Sequence, residues 1–133
     1  MTIRVAIVDD HAMMRAGYRG MLAAERDIEV IAEGESGEDA LRIVREQQPA
    51  VLILDVSMPG LSGIEVTHRL TRSDSPTRIV IVTMLSEGPV PALLLEAGAD
   101  AFLTKGSNGA ELIEAVRSVA RGLIRDGRDV RSD

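Results

Sequence analysis

Short runs of β-branched and aliphatic residues alternate along this chain with longer segments of helical period. The runs fall at 3–8, 28–32, 51–55, 79–83 and 101–104. Three of them are almost unbroken Val, Ile and Leu, the pattern of strands covered on both faces. The segments between and after them, about 12–24, 37–47, 63–72, 91–98 and 108–121, read as helices. In the first, Met14, Tyr18, Met21 and Leu22 share one face, and in the last Leu112, Ile113, Val116 and Val119 do so. Punctuation agrees with these bounds. Ser36, with Asp39 three residues on, is an N-cap candidate, and Ser107 or Asn108 can cap the last helix. Pro49 stops the second helix, and Gly98 stands where a helix C-terminal glycine belongs. Glu87-Gly88-Pro89-Val90-Pro91 predicts a fourth helix that starts late or is short, because proline fits only a first helical turn. Five strands alternating with five helices predict a parallel α/β sheet with right-handed crossovers.

The polar residues that end the apolar runs carry the chemistry. Val5–Val8 runs into Asp9 and Asp10, Val51–Leu54 into Asp55, Ile79–Val82 into Thr83, and the run at 101–104 into Lys105. In a parallel sheet all these endings share one edge, where α/β proteins bind ligands. Crowded carboxylates repel, and a divalent cation relieves them. A few hard oxygen donors suit magnesium, which takes one or two carboxylates plus phosphate oxygens. Asp55 is the candidate nucleophile for a phosphoryl group. Lys105 offers it a charge-assisted hydrogen bond and Thr83 a hydroxyl. Each has an ordinary alternative: Asp9 or Asp10 as a helix cap, Lys105 as a surface lysine, Thr83 as a strand-ending β-former, Pro59-Gly60 as a plain turn. His11 and His68 read as surface residues, and Met13, Met14 and Met21 as core or interface filler.

Composition narrows the function classes. The 133 residues fit one domain, 1–121, followed by a tail or the start of a linker at 122–133. Cysteine is absent, which excludes disulfides and thiolate chemistry. A net charge of −6 and only two aromatic residues, Tyr18 and Phe102, argue against direct nucleic-acid binding. The Arg-rich stretch 117–131 is interleaved with Asp and reads as solvated. No apolar stretch approaches the roughly 20 residues of a membrane span, and no signal peptide is evident, so a cytoplasmic location is expected. Neither phosphate-loop nor dinucleotide glycine motifs occur.

The set Asp9-Asp10, Asp55, Thr83 and Lys105 resembles the receiver domain of bacterial two-component response regulators, the CheY-like family, over about residues 3–121. Val8-Asp9-Asp10-His11, Arg15-Ala16-Gly17, Met58-Pro59-Gly60 with Ser62-Gly63, Ala97-Gly98-Ala99 and Lys105-Gly106 look like its NarL/FixJ type. The resemblance implies a flavodoxin-like, doubly wound five-stranded parallel sheet of order 2-1-3-4-5 with five helices. It implies a signalling domain with at most slow autodephosphorylation, phosphorylated on Asp55 by a sensor histidine kinase with Mg2+. The ion would be held by Asp10, Asp55 and the Ser57 backbone carbonyl, with Asp9 acting through water. Lys105 and Thr83 would hold the phosphoryl group, and Thr83 with Phe102, the switch aromatic, would carry the change outward. Relatives of this type usually continue into a DNA-binding domain that controls transcription, and homodimerisation on phosphorylation fits that output. A phosphate-independent interaction or dimerisation module is the competing expectation, motivated by the irregular 87–91 segment.

Overall fold

Each predicted apolar run forms a strand, and each intervening periodic segment a helix. The computed structural model of the chain describes residues 2–56, 61–83, 90–105, 109–122, 124–125 and 128–129. Its main elements are β1 (Ile3–Val8), α1 (Ala12–Ala23), β2 (Ile28–Gly34), α2 (Gly37–Gln47), β3 (Val51–Asp55), α3 (Gly63–Arg72), β4 (Arg78–Thr83), α4 (Val90–Ala97), β5 (Ala101–Thr104) and α5 (Gly109–Ala120). The five strands form one sheet in the order β2-β1-β3-β4-β5, every pairing parallel. That is the flavodoxin-like order. The calls on Ser57, Pro59-Gly60, Pro89 and the Ser107 or Asn108 cap lie outside the described residues.

Period-two alternation sends side chains to opposite faces of the sheet. Val5, Ile7, Val51, Ile53, Val80 and Val82 pack with Tyr18 and Leu22 of α1 and with Leu112, Val116 and Val119 of α5. Ala6, Val8, Leu52, Leu54, Ile79 and Ile81 pack with Ala40, Ile43 and Val44 of α2 and Val66 and Leu70 of α3. Two apolar layers thus clamp the sheet, which is why its strands are apolar on both faces. Met14 and Met21 pack against the first layer, but Met13 is 87% exposed and is not core.

Local chemistry sets the ends. Ser36 Oγ accepts the Asp39 N–H at 3.1 Å, and Asp39 Oδ2 accepts the Glu35 N–H at 2.9 Å, a reciprocal N-terminal cap of α2. Gln48 ends that helix with a left-handed φ of 47°, and Arg4 donates to its carbonyl and to that of Gln47. Pro91 lies in the first turn of α4, where its missing N–H costs nothing. At eight residues α4 is the shortest helix of the five. Beyond α5, within the stretch expected as a tail or the start of a linker, β6 (Ile124–Arg125) pairs antiparallel with β7 (Arg128–Asp129). Asp126-Gly127 separates them in sequence, a dipeptide favoured in two-residue hairpin loops.

Gly98 follows α4 at φ +113°, and a Cβ there would lie 2.2 Å from Thr71 Oγ1. Gly98→Ala therefore costs on the order of 1–3 kcal/mol in urea unfolding. Adding Thr71→Ala recovers only part of it, because the backbone angle stays unfavourable. Arg117 of α5 reaches Asp27 at 2.9 Å and Glu25 at 2.7 Å in the α1–β2 connection. The hydrogen bond from Arg117, against an opposing effect of burial, holds the Asp27 carboxyl below its ordinary 3.8. A depressed folded-state pKa contributes stability above the ordinary value and loses it as pH falls through the folded one. Asp27→Asn should accordingly flatten the part of the stability–pH curve below about pH 4, measured by urea midpoints across that range.

Candidate functional site

The strand endings converge as their parallel register demands. Asp9 leaves the end of β1, its N–H donating to Gly34 O of β2 at 3.0 Å. Asp55 is the last residue of β3 and stands opposite Val82 of β4. Thr83 is the last residue of β4, opposite Thr104 of β5. The Lys105 N–H then donates to Thr83 O at 2.6 Å, so the lysine continues the β4–β5 ladder and enters the same edge.

Lys105 Nζ lies 3.1 Å from Asp55 Oδ2 and 3.2 Å from Asp9 Oδ2. The three side chains are only 1%, 3% and 5% exposed for Asp55, Asp9 and Lys105. Thr83 is fully buried beside them in the sheet. Asp10 is 30% exposed at the mouth. Burial alone disfavours the lysine's charge, but the hydrogen bond and charge of Asp55, then of Asp9, outweigh it and raise its pKa. One ammonium thus serves two buried carboxylates, and the pocket keeps an excess of negative charge. Tyr18 senses it from α1: burial first, then Asp9 and Asp55, push its phenol up to about 12. It therefore stays neutral, and its buried hydroxyl has no hydrogen-bond partner among the described residues.

Asp9, Asp10, Asp55 and His11 each offer one ligand atom, all within 4.8 Å of one another. Three carboxylates and an imidazole at that spacing fit a divalent cation. His11 is the residue the sequence reading passed over. Its side chain is 60% exposed, as expected of a surface histidine. Its Nδ1 nonetheless lies 3.2 Å from both Asp9 Oδ1 and Asp10 Oδ1, and 3.3 Å from Lys105 Nζ. Its place directly after the acidic pair was the available signal. His68 is exposed on α3, away from this edge. Phe102, half-buried opposite Ile81, packs against the layer under α2 and α3 rather than at the carboxylates. Ser57 is outside the described residues.

A parallel α/β sheet with a buried carboxylate–lysine pocket at its C-terminal edge defines a class of phosphate-handling signalling domains. The family model described as response regulator receiver domain matches residues 5–117, and the chain belongs to that family. It is the receiver domain of a two-component response regulator. It is 41% identical over 120 residues to the response regulator GacA of Pseudomonas aeruginosa, covering 90% of this chain and 56% of GacA. It is 40% identical over 120 residues to the response regulator UvrY of Escherichia coli, covering 90% of this chain and 55% of UvrY. The chain thus spans little more than half the length of these relatives. Among solved structures, the signal receiver domain of the response regulator NarL from Mycobacterium tuberculosis superposes with a TM-score of 0.88 at 31% identity, covering 91% of this chain and 98% of that one. A LuxR-family response regulator from Aurantimonas sp. gives 0.86 at 35%, covering 92% and 87%. No helix among the described residues is long and apolar enough to cross a membrane.

Removing the ammonium strands two carboxylates. Lys105→Ala is expected to lose about 3 kcal/mol in metal-free urea unfolding, the usual cost of breaking a buried pair. The double variant Lys105→Ala/Asp55→Asn regains a good part of that loss. Strict additivity of the two changes would contradict the coupling.

Proposed function

We propose that this domain accepts a phosphoryl group on Asp55 from the phosphohistidine of a sensor histidine kinase. The observation that carries the reading is the buried Asp55 carboxylate, held 3.1 Å from Lys105 beside a second acid. An Asp55 oxygen attacks phosphorus, the P–N bond breaks, and the kinase imidazole leaves with that electron pair. Lys105, already bonded to Asp55, turns its ammonium to the new phosphoryl oxygens and offsets their charge. The Thr83 hydroxyl, one strand away, donates to the same group. A bound magnesium ion would supply charge neutralisation for phosphoryl transfer. Asp10, Asp55 and the Ser57 carbonyl would hold it, with Asp9 acting through water. The donor set fits this assignment, since Asp10 and Asp55 are among the four clustered ligand residues.

The added charge biases a surface with two arrangements, which gives a local modification its distant effect. As Thr83 moves toward the phosphoryl group, Phe102 turns inward. The readout lies on α4, β5 and α5, or in this subgroup on a dimer face of α1 and α5. Output is transcriptional where a DNA-binding domain follows in a longer protein, and the kinase meets the domain in the cytoplasm. The domain is a switch rather than a turnover enzyme, with at most slow autodephosphorylation. Residues 1–121 form the receiver, with 122–133 a tail or the start of a linker.

Incubation with Mg2+ and acetyl phosphate, followed by intact mass measurement, should show one added phosphoryl group. Asp55→Asn should show none, chelation of the metal should abolish the gain, and Lys105→Ala should slow it about 100-fold. An equal gain in Asp55→Asn would refute the assignment. Partner binding or dimerisation indifferent to Asp55 would favour the phosphate-independent module, which the two prolines in the 87–91 sequence motivate.

A further inference from the structure

The acidic turn between β1 and α1 has a fastener of its own. The strand ladder ends with the Asp9 N–H on Gly34 O, and the helix ladder begins with the Arg15 N–H on His11 O at 3.0 Å. The Asp9 carbonyl falls between the two ladders. Arg15 Nη1 takes it at 2.6 Å. The same guanidinium donates through Nε to Glu33 Oε1 at 3.1 Å, near the end of β2, and lies 3.8 Å from Glu35. Glu33 also accepts from Arg19 Nη1 at 2.8 Å, and chiefly that hydrogen bond holds its carboxyl below the ordinary value. The Arg15 side chain is only 15% exposed.

We infer that Arg15 is a positioning residue for the cation site, locking the turn that presents Asp9, Asp10 and His11 without itself touching the ligand. The inference rests on reading the pocket as a magnesium-dependent phosphoryl site. Arginine suits the task because one rigid planar group bonds the Asp9 carbonyl and the Glu33 carboxylate together. Its positive charge lies next to the acidic turn while its hydrogen bonds go to the Asp9 carbonyl and the Glu33 carboxylate, whereas Lys105 occupies carboxylate oxygens of Asp9 and Asp55. Glu33 stands opposite Ile7 in the β1–β2 pairing, so the brace is anchored in the sheet and not in a loop. A braced backbone holds Asp9 and Asp10 close despite their repulsion, and groups that orient metal ligands in this way are typically worth 10- to 100-fold in affinity.

The test is a Mg2+ titration followed by NMR of the Asp10 and His11 backbone amides, with the metal-free spectrum reporting the fold. Arg15→Ala should raise the Kd about tenfold. Glu33→Gln should raise it by about threefold, and Arg15→Lys should recover part of the affinity lost in Arg15→Ala. At saturating Mg2+, the rate of phosphorylation by acetyl phosphate should stay within about threefold of wild type, since Asp55 and Lys105 are untouched. Wild-type affinity in Arg15→Ala would overturn the inference. So would a saturated rate that falls as far as the affinity, in Arg15→Ala or in the milder Arg15→Lys. Failure of the wild-type protein to bind Mg2+ would instead overturn the metal reading itself, and the inference with it.

Discussion

Parallel strand pairing is the constraint on which everything else here depends. Because β1, β3, β4 and β5 all run the same way, the residues that end them cannot scatter. Val8 pairs with Leu54, Asp55 with Val82 and Thr83 with Thr104, and these rungs bring Asp9, Asp55, Thr83 and Lys105 to one edge. The order β2-β1-β3 also reverses direction between β1 and β3, so the crossover helices part there and leave a crevice. Asp9 and Asp55 flank that opening. A one-residue slip of β3 would turn Asp55 toward the opposite face of the sheet. The fully buried Leu52 and Leu54 on one face, and Val51 and Ile53 on the other, prevent it.

The pocket stands against the general economy of this fold. Elsewhere stability comes mainly from two apolar layers, and the other buried carboxylate among the described residues, Asp100, is held by the Ile79 N–H. Here two carboxylates and an ammonium are withdrawn from water together, an arrangement that gains little net stability. What it provides is a fixed concentration of negative charge with one cation already seated in it. Under the proposed function Lys105 would turn toward new phosphoryl oxygens without leaving the pocket, and Asp10 and Asp55, with Asp9 through water, would receive a metal. The nearby Tyr18 phenol is kept neutral first by its burial and then by the same charges, whose field reaches into α1.

Regular elements were legible in the sequence because each has a local cause. Strands with both faces covered must be apolar throughout, the Ser36 and Asp39 side chains cap the start of α2 within one turn, and Gly98 has an angle that other residues avoid. The strand-ending residues were legible too, since their type changes abruptly after each apolar run. His11 and Arg15 were not. Arg15 meets Glu33 of β2 and His11 meets Lys105 after β5 at separations no periodicity reports, while the contacts of His11 with the adjacent Asp9 and Asp10 depend on how the turn folds back. The tail hairpin was missed for a different reason: two-residue strands have no periodicity to detect, and only the Asp126-Gly127 pair hinted at them.

By itself the sequence determined which residues are strand and helix, which polar groups stand at strand ends, and so which chemistry the edge can hold. Local sterics, side-chain alternation and capping decide those matters within a few residues. Tertiary structure alone decided that a single ammonium bridges Asp9 and Asp55, that His11 points back to the acids, and that Arg15 braces the turn through Glu33. Those contacts are set by strand register and by helix seating on the sheet. Both follow from how the two apolar layers pack, a property of the whole chain.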